Sequence, residues 1–376
     1  MRFARLARVG VKRTGAGLIL ALLLTASRAF ASETDNLTYR FVALEDSAPK
    51  VNAKLNELLE QIREDANATL KARSSPRLAT DTEVELAFMK AYRARILKKF
   101  HSRLVPIFEV CIERNDCAGW PRFERIALRR AESIFGESRY NLGAIAFLAS
   151  SIELCGVRLG TDKTTHLFSN GFFYYNGSRR EGSRLVTPGD AYDWAMADER
   201  GLFGARSNAV VSSADAEATA AGFRLASDYF LGEDPVFARD AESGEIVKRR
   251  DVDVCRYVNE RMDEGRNVPA YTAGKRKTTR LEKAIEERRA ANARAETLGA
   301  EERRALKEDL VKRPIDPEHG RLSIPQRTFL ALRLVWAYLT LPSPSRRAAN
   351  LIVFPKFDLE RRKPLVIRRE PVVPPR

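Results

Sequence analysis

The chain has 376 residues, with 65 Lys and Arg against 50 Asp and Glu, a formal net charge of +15, four cysteines and three histidines. That length allows one large domain or two small ones. With only His101, His166 and His319, a zinc site of several histidines would need distant segments to converge and is not expected; there is no G-x-S-x-G elbow, phosphate-binding glycine loop or H-E-x-x-H run, and no cofactor is expected.

Residues 1–31 read as a secretory signal peptide. Arg2, Arg5, Arg8, Lys12 and Arg13 make a basic leader, Leu18 to Leu24 reads LILALLL, and Ala29-Phe30-Ala31 has the small-x-small cleavage pattern. The apolar run falls short of the ~20 residues of a membrane span; a retained N-terminal anchor is the alternative. A soluble mature chain starting at Ser32 is expected, periplasmic or secreted. The leader carries six basic residues (Arg28 is the sixth), so the mature chain has 59 basic against 50 acidic residues, a net +9. That balance suits an anionic envelope glycan or lipid surface as partner, and equally an ordinary solvated surface. No nucleic-acid-binding module is recognisable, which argues against that partner.

Cys111, Cys117, Cys155 and Cys255 are an even set in an oxidising compartment, consistent with two disulfides. Three connectivities are open. Asn115-Asp116 reads as a turn and favours Cys111 with Cys117, leaving Cys155 with Cys255.

In chain order, Pro49 opens a helix with Val51, Leu55, Leu58, Leu59, Ile62 and Ala66 at helical spacing, broken at Ser74-Ser75-Pro76. Thr82 and Glu85 suggest a capping box for a second helix, whose stripe runs through Leu86, Met89, Ile96, Leu97 and Phe100. Pro106 kinks or restarts it. Arg122 to Phe135 reads as a third helix, and Leu142 to Ala149 as a short buried fourth segment. From Ser151 to Gly160 the period changes to alternation about Cys155-Gly156, which favours a β-hairpin over continuation of the fourth helix to Cys155. Thr161 then caps a helix to about Tyr175, with Asp162 in its first turn. A helix starts at Thr187-Pro188, and another, capped by Ser212 or Ser213, runs from Asp215 to Phe230. Gly232 to Asp251 reads as irregular, followed by a short helix from Cys255 to Met262.

Residues 272–313 are almost wholly charged and read as a solvent-exposed or mobile helical extension. In 314–341, the apolar stretch Ile324 to Leu341 is interrupted by Arg327 and Arg333. It reads as an amphipathic helix packed on the body, with a membrane-surface position as the alternative and no spanning role. Residues 342–376 form a Pro/Arg-rich extended tail. The expected fold is mainly α: a helical main domain over 32–271 with at most a small β-hairpin, plus the charged extension.

Candidate site residues concentrate in two stretches. Asp162, His166, Asn170 and Tyr174 recur every four residues and line one helix face, and an Asp one turn before a His can accept its ring proton and fix its tautomer. Such a pair also suits a single-His metal site supplemented by carboxylates. On the second helix Asp215, Thr219 and Gly222 share a face, kept slim by Ala218, Ala221 and Ala226. The expected catalytic set is Asp162, His166 and Asp215, with Lys163, Asn170, Tyr174 and Thr219 as ligand-binding residues. The bland reading is that Asp162 only complements the helix dipole and His166 is an ordinary hydrogen-bonded residue.

The run Asp162-Lys163-Thr164-Thr165-His166-Leu167, followed by Asp215-Ala216-Glu217-Ala218-Thr219-Ala220-Ala221-Gly222, resembles a two-part theme of bacterial envelope proteins. VanZ-like proteins, with D-K-x-x-H-F and then D-x-x-A-N-x-x-G, are one example. Thr219 stands where that theme has Asn. The resemblance implies that Asp162, His166, Asp215 and Gly222 belong to one site. The function expected is that of an exported envelope protein with an Asp/His/Asp site for hydrolysis or ligand binding; the alternative is a non-enzymatic structural or adaptor protein.

Overall fold

A computed structural model describes residues 33–73, 78–100, 103–128, 132–137, 148–181, 187–201, 210–271 and 275–312. The stretches read as a signal peptide (1–31), a packed helix (314–341) and an extended tail (342–376), with His101, His319 and most of the fourth apolar segment (142–147), lie outside them. Helix dominates, as expected. The described elements are β1 (Glu33–Thr34), α1 (Ala48–Lys71), α2 (Asp81–Ile96), β2 (Leu97–Phe100), β3 (Arg103–Pro106), α3 (Ile107–Arg114), β4 (Leu148–Ala149), β5 (Ser151–Leu154) and β6 (Val157–Gly160). There follow α4 (Asp162–Thr165), α5 (Gly171–Glu181), α6 (Pro188–Glu199), β7 (Val210–Val211), α7 (Ser213–Ser227), β8 (Phe237–Arg239), β9 (Ile246–Lys248), β10 (Ala270–Tyr271), α8 (Lys275–Glu296) and α9 (Ala300–Lys312). A π-helical turn, His166–Asn170, joins α4 to α5.

Helix α1 buries Val51, Leu55, Leu58, Leu59, Ile62 and Ala66, the stripe read from spacing alone. Helix α2 packs beside it through Val84, Phe88, Tyr92 and Ile96, which join one core with Phe108, Phe168, Phe172, Phe223 and Tyr229. Tyr92 stacks on Phe172 at 4.0 Å between ring centroids, and its hydroxyl donates to the Phe168 carbonyl. Helix α7 runs through the middle against α5, α6 and the π-turn, and its small residues allow backbone contact. A Cβ added at Gly222 would lie 2.1 Å from the Leu167 carbonyl oxygen, and one at Gly171 would lie 2.3 Å from the Gly222 carbonyl carbon.

The hairpin at 151–160 forms, with Ile152 opposite Leu159 and Leu154 opposite Val157. Cys155 and Gly156 turn it with φ of 57° and 72°, the two positive values that a type I′ turn requires. Both disulfides have the favoured pairing: Cys111–Cys117 and Cys155–Cys255, with Cα separations of 5.3 and 5.4 Å. The second ties the hairpin turn to a segment 100 residues away.

Several expectations need correction. The second helix is capped two residues earlier than read: Thr80 and Glu83 form the box, and the chain leaves the helix after Ile96 for the β2–β3 hairpin. The third helix is absent over 122–128. There Asn115 brackets the Phe123 backbone, Arg125 donates to the Ile112 and Glu113 carbonyls, and Ile126 bridges Ser151, so tertiary partners hold the segment extended. Leu148–Ala149 is a strand paired in parallel with Glu33–Thr34. The stretch read as irregular contains the β8–β9 hairpin, and Cys255 to Met262 is two 3₁₀ turns, Val254–Arg256 and Glu260–Met262. The charged extension is helical but neither free nor wholly exposed. Leu281, Ala284 and Ile285 pack with Leu37, Phe135 and Val210, while the buried Arg288 donates to the Thr38 hydroxyl and Asn292 to the Leu37 carbonyl.

Two consequences are measurable. Gly222→Ala should cost about 1–3 kcal/mol from overpacking against the π-turn backbone, read as a lower denaturation midpoint in urea. Removing the Cys155–Cys255 bridge should cost about 4–5 kcal/mol and removing Cys111–Cys117 about 2 kcal/mol, since loop-closure entropy grows with loop length; equal losses from the two double Cys→Ser variants would contradict that ordering.

Candidate functional site

The second residue of β6's exit, Asp162, begins a helix of one turn that cannot present its side chains to water. Asp162, Lys163, Thr164, Thr165 and His166 are all buried. Gly160, just before them, leaves no room for a side chain: a Cβ there would stand 1.9 Å from Thr34 Oγ1 and 2.2 Å from Asp162 Oδ1. The hairpin end therefore presses β1 and α4 together. Glu113 on α3 fastens the junction by accepting from the Ser150 backbone and hydroxyl and from the Thr161 hydroxyl.

Lys163 is the centre. It is 1% exposed, and its ammonium lies 2.9 Å from Asp162 Oδ2, 2.5 Å from Asp215 Oδ1 and 2.7 Å from Glu264 Oε1. Asp162 also accepts from the Thr34 hydroxyl at 2.7 Å and from the Lys163 backbone. Ser212 caps α7 by accepting from Asp215 N–H and donates its own proton to Glu264. Glu199, at the end of α6, accepts from Ser212 N–H. Thus β1, α4, α6, α7 and the segment after the 3₁₀ turn at Glu260–Met262 meet around one ammonium.

The charges are unbalanced in favour of the acids. Glu33, Asp162, Glu199, Asp215 and Glu264 are all buried, and one lysine faces them. Burial would lower the Lys163 pKa, but Asp162, Asp215 and Glu264 outweigh it and hold the ammonium charged well above the usual lysine range. Burial raises the Asp215 carboxyl, yet His166 and Lys163 pull it below its ordinary value. Glu264 is pushed up to about 8 by burial, with Asp162 and Asp215 adding to the push against Lys163. Glu33 and Glu199 are raised well above the carboxylate range, first by burial and then by neighbouring acids.

His166 lies on the other side of Asp215, its Nε2 3.4 Å from Asp215 Oδ2. Its Nδ1 lies 3.0 Å from the Thr219 hydroxyl and 3.2 Å from the Asn170 amide nitrogen. An amide N–H only donates, so Nδ1 accepts in this arrangement and the ring proton sits on Nε2, facing Asp215. Burial, aided by Lys163, lowers the imidazole pKa against the pull of Asp215. The Nε2 atom nonetheless lacks a hydrogen-bond partner, as does Glu264 Oε2.

The structure therefore brings Asp162, Lys163, His166, Asn170, Asp215 and Thr219 together, but with altered roles. The acid beside His166 is Asp215 from a distant helix and not Asp162 one turn earlier, whose oxygens are taken by Thr34 and Lys163. Lys163 is an internal counter-ion. Tyr174 stands apart: its hydroxyl donates to Asp198 while its ring packs on Trp194. Glu33, Glu199 and Glu264 were missed, since isolated glutamates carry no local signal. Ser213, in the first turn of α7, donates to Asn267.

Two triads gather metal-ligand atoms within 4.8 Å of one another: Asp162, Asp215 and Glu264, and His166, Glu199 and Asp215. Lys163 already fills the first. An open groove of about 510 Å³ lies on a different face of α7, lined by Tyr192, Glu217, Ala221, Arg224 and Arg261, away from the Asp215–Thr219 face. Among the described residues, no helix is long and apolar enough to cross a membrane. Comparison of the chain with protein-family models, curated proteins and solved structures found no match in any of the three.

Lys163→Met should leave three buried carboxylates without their cation and cost about 3–5 kcal/mol. Adding Glu264→Gln should recover part of that loss in thermal unfolding; an unchanged midpoint for Lys163→Met alone would show that the ammonium does not hold the cluster together.

Proposed function

We propose that this chain is an exported protein of the bacterial cell envelope whose buried cluster around Lys163, His166 and Asp215 binds a ligand and does not hydrolyse a substrate. The observation that carries this choice is the engagement of His166. A general base must direct a free lone pair at a substrate proton within hydrogen-bond reach. Here Nδ1 is taken by Thr219 and Asn170, Nε2 faces Asp215, and the ring is 7% exposed.

Export is supported by the leader, by the small-x-small site at Ala29 to Ala31 and by the two disulfides. The segment immediately after that site, Glu33 to Thr38, is buried throughout. A cut after Ala31 releases it to pack as β1 with Thr34 against Asp162. Contact with an anionic glycan or lipid surface is supported by the mature chain's positive balance and by Arg224 and Arg261 at the open groove.

The test is native mass spectrometry of the protein recovered from the envelope fraction without chelator. The covalent mass should correspond to a chain beginning at Ser32 with two disulfides. A non-covalent adduct should accompany the wild type and be lost from His166→Gln. Covalent mass alone in both proteins would favour the structural or adaptor role. Turnover of envelope glycans abolished by His166→Gln would favour the hydrolase.

A further inference from the structure

Lys163 satisfies one side of Asp215, and the other side faces His166 and Glu199. On that side Asp215 Oδ2 and His166 Nε2 stand 3.4 Å apart, longer than a good N–H···O bond of about 2.7–3.2 Å. Two donors each bound at about 2.1 Å to a tetrahedral ion are about 3.4 Å apart, the edge of the coordination tetrahedron. The Nε2 atom is buried and has no hydrogen-bond partner.

We propose that His166 Nε2, Asp215 Oδ2 and a Glu199 carboxylate oxygen hold one divalent first-row transition ion. The inference rests on the ligand-binding reading and names its ligand. The three donor groups already converge within 4.8 Å. One imidazole with two carboxylates is a borderline-to-hard donor set that suits Zn²⁺ or Mn²⁺ better than the softer thiolate metals. All four cysteines are in disulfides and supply no competing thiolate. The surrounding groups fit a supporting shell. Thr219 Oγ1 lies where it can accept the Nδ1 proton once Nε2 is metal-bound, and a half-turn of the Asn170 amide presents its oxygen to the same proton. Lys163 holds Asp215 from its other oxygen, and Ser212 N–H holds Glu199. Backbone contact at Gly222 brings α7 to the π-turn that carries His166.

The full processed chain, stripped with chelator, is titrated with Zn²⁺ and with Mn²⁺, and bound metal is counted by elemental mass spectrometry. One ion per chain is expected. Glu199→Gln, which keeps shape and removes charge, should weaken binding at least tenfold. Glu217→Gln, on the groove side of α7, and a His101→Gln/His319→Gln chain should both bind as the wild type does. Co²⁺ loaded into the wild type should show visible absorption that shifts in His166→Gln, a signature that does not depend on variant stability. Failure of the wild type to retain either ion overturns the proposal, as does affinity unchanged in Glu199→Gln or a Co²⁺ spectrum unchanged in His166→Gln. A His166-dependent organic adduct with no metal would overturn the ion while leaving the ligand-binding reading intact; absence of both would remove the two together.

Discussion

An ammonium group sealed inside a helical protein is the constraint on which the rest of this structure depends. Lys163 is 1% exposed, and an unpaired charge there would be prohibitively unfavourable. Its three carboxylates come from α4, α7 and the segment after Glu260–Met262, so placing the charge requires those elements to meet. Once they meet, Ser212 can cap α7 and bond Glu264 with the same hydroxyl, and Thr34 can bond Asp162. Much of the tertiary arrangement near the centre of the molecule follows from satisfying one cation.

Close backbone packing makes that possible. Gly171 and Gly222 bring α5, the π-turn and α7 into contact, and Gly160 lets Thr34 reach Asp162. The π-turn, His166–Asn170, carries His166 against α7. Along a straight helix each four-residue step advances about 40°, which puts Tyr174 about 120° around from Asp162; it lies off the cluster and reaches Asp198. The disulfide from Cys155 to Cys255 holds the hairpin that feeds α4 to the segment preceding Glu264, bracing the cluster from outside.

The same arrangement changes what the Asp/His pair can do. In an open cleft, Asp215 beside His166 would orient a base. Here burial lowers the imidazole pKa and the ring's acceptor nitrogen is held by Thr219 and Asn170. The donor atoms of His166, Asp215 and Glu199 lie within 4.8 Å of one another, the geometry on which the ligand-binding proposal rests.

Periodicity alone located α1, α6 and α7, because an apolar stripe or a capping residue is written in adjacent positions. The Cys155-Gly156 hairpin turn and the Cys111–Cys117 pairing were legible for the same reason, since turn chemistry is local, and Cys155–Cys255 followed as the remaining pair. Asp162, Lys163, His166 and Asp215 were legible as candidates from the crowding of titratable residues near small ones. What only the tertiary structure decided is the partnership. Segments 122–128 and 237–248 took their form from distant contacts, and a charged segment, 275–296, buries one face because Leu281 and Ile285 find Leu37 and Phe135. Glu33, Glu199 and Glu264 look like surface glutamates in sequence; they become members of a site because desolvation and a shared lysine act through space, and neither is encoded in spacing along the chain.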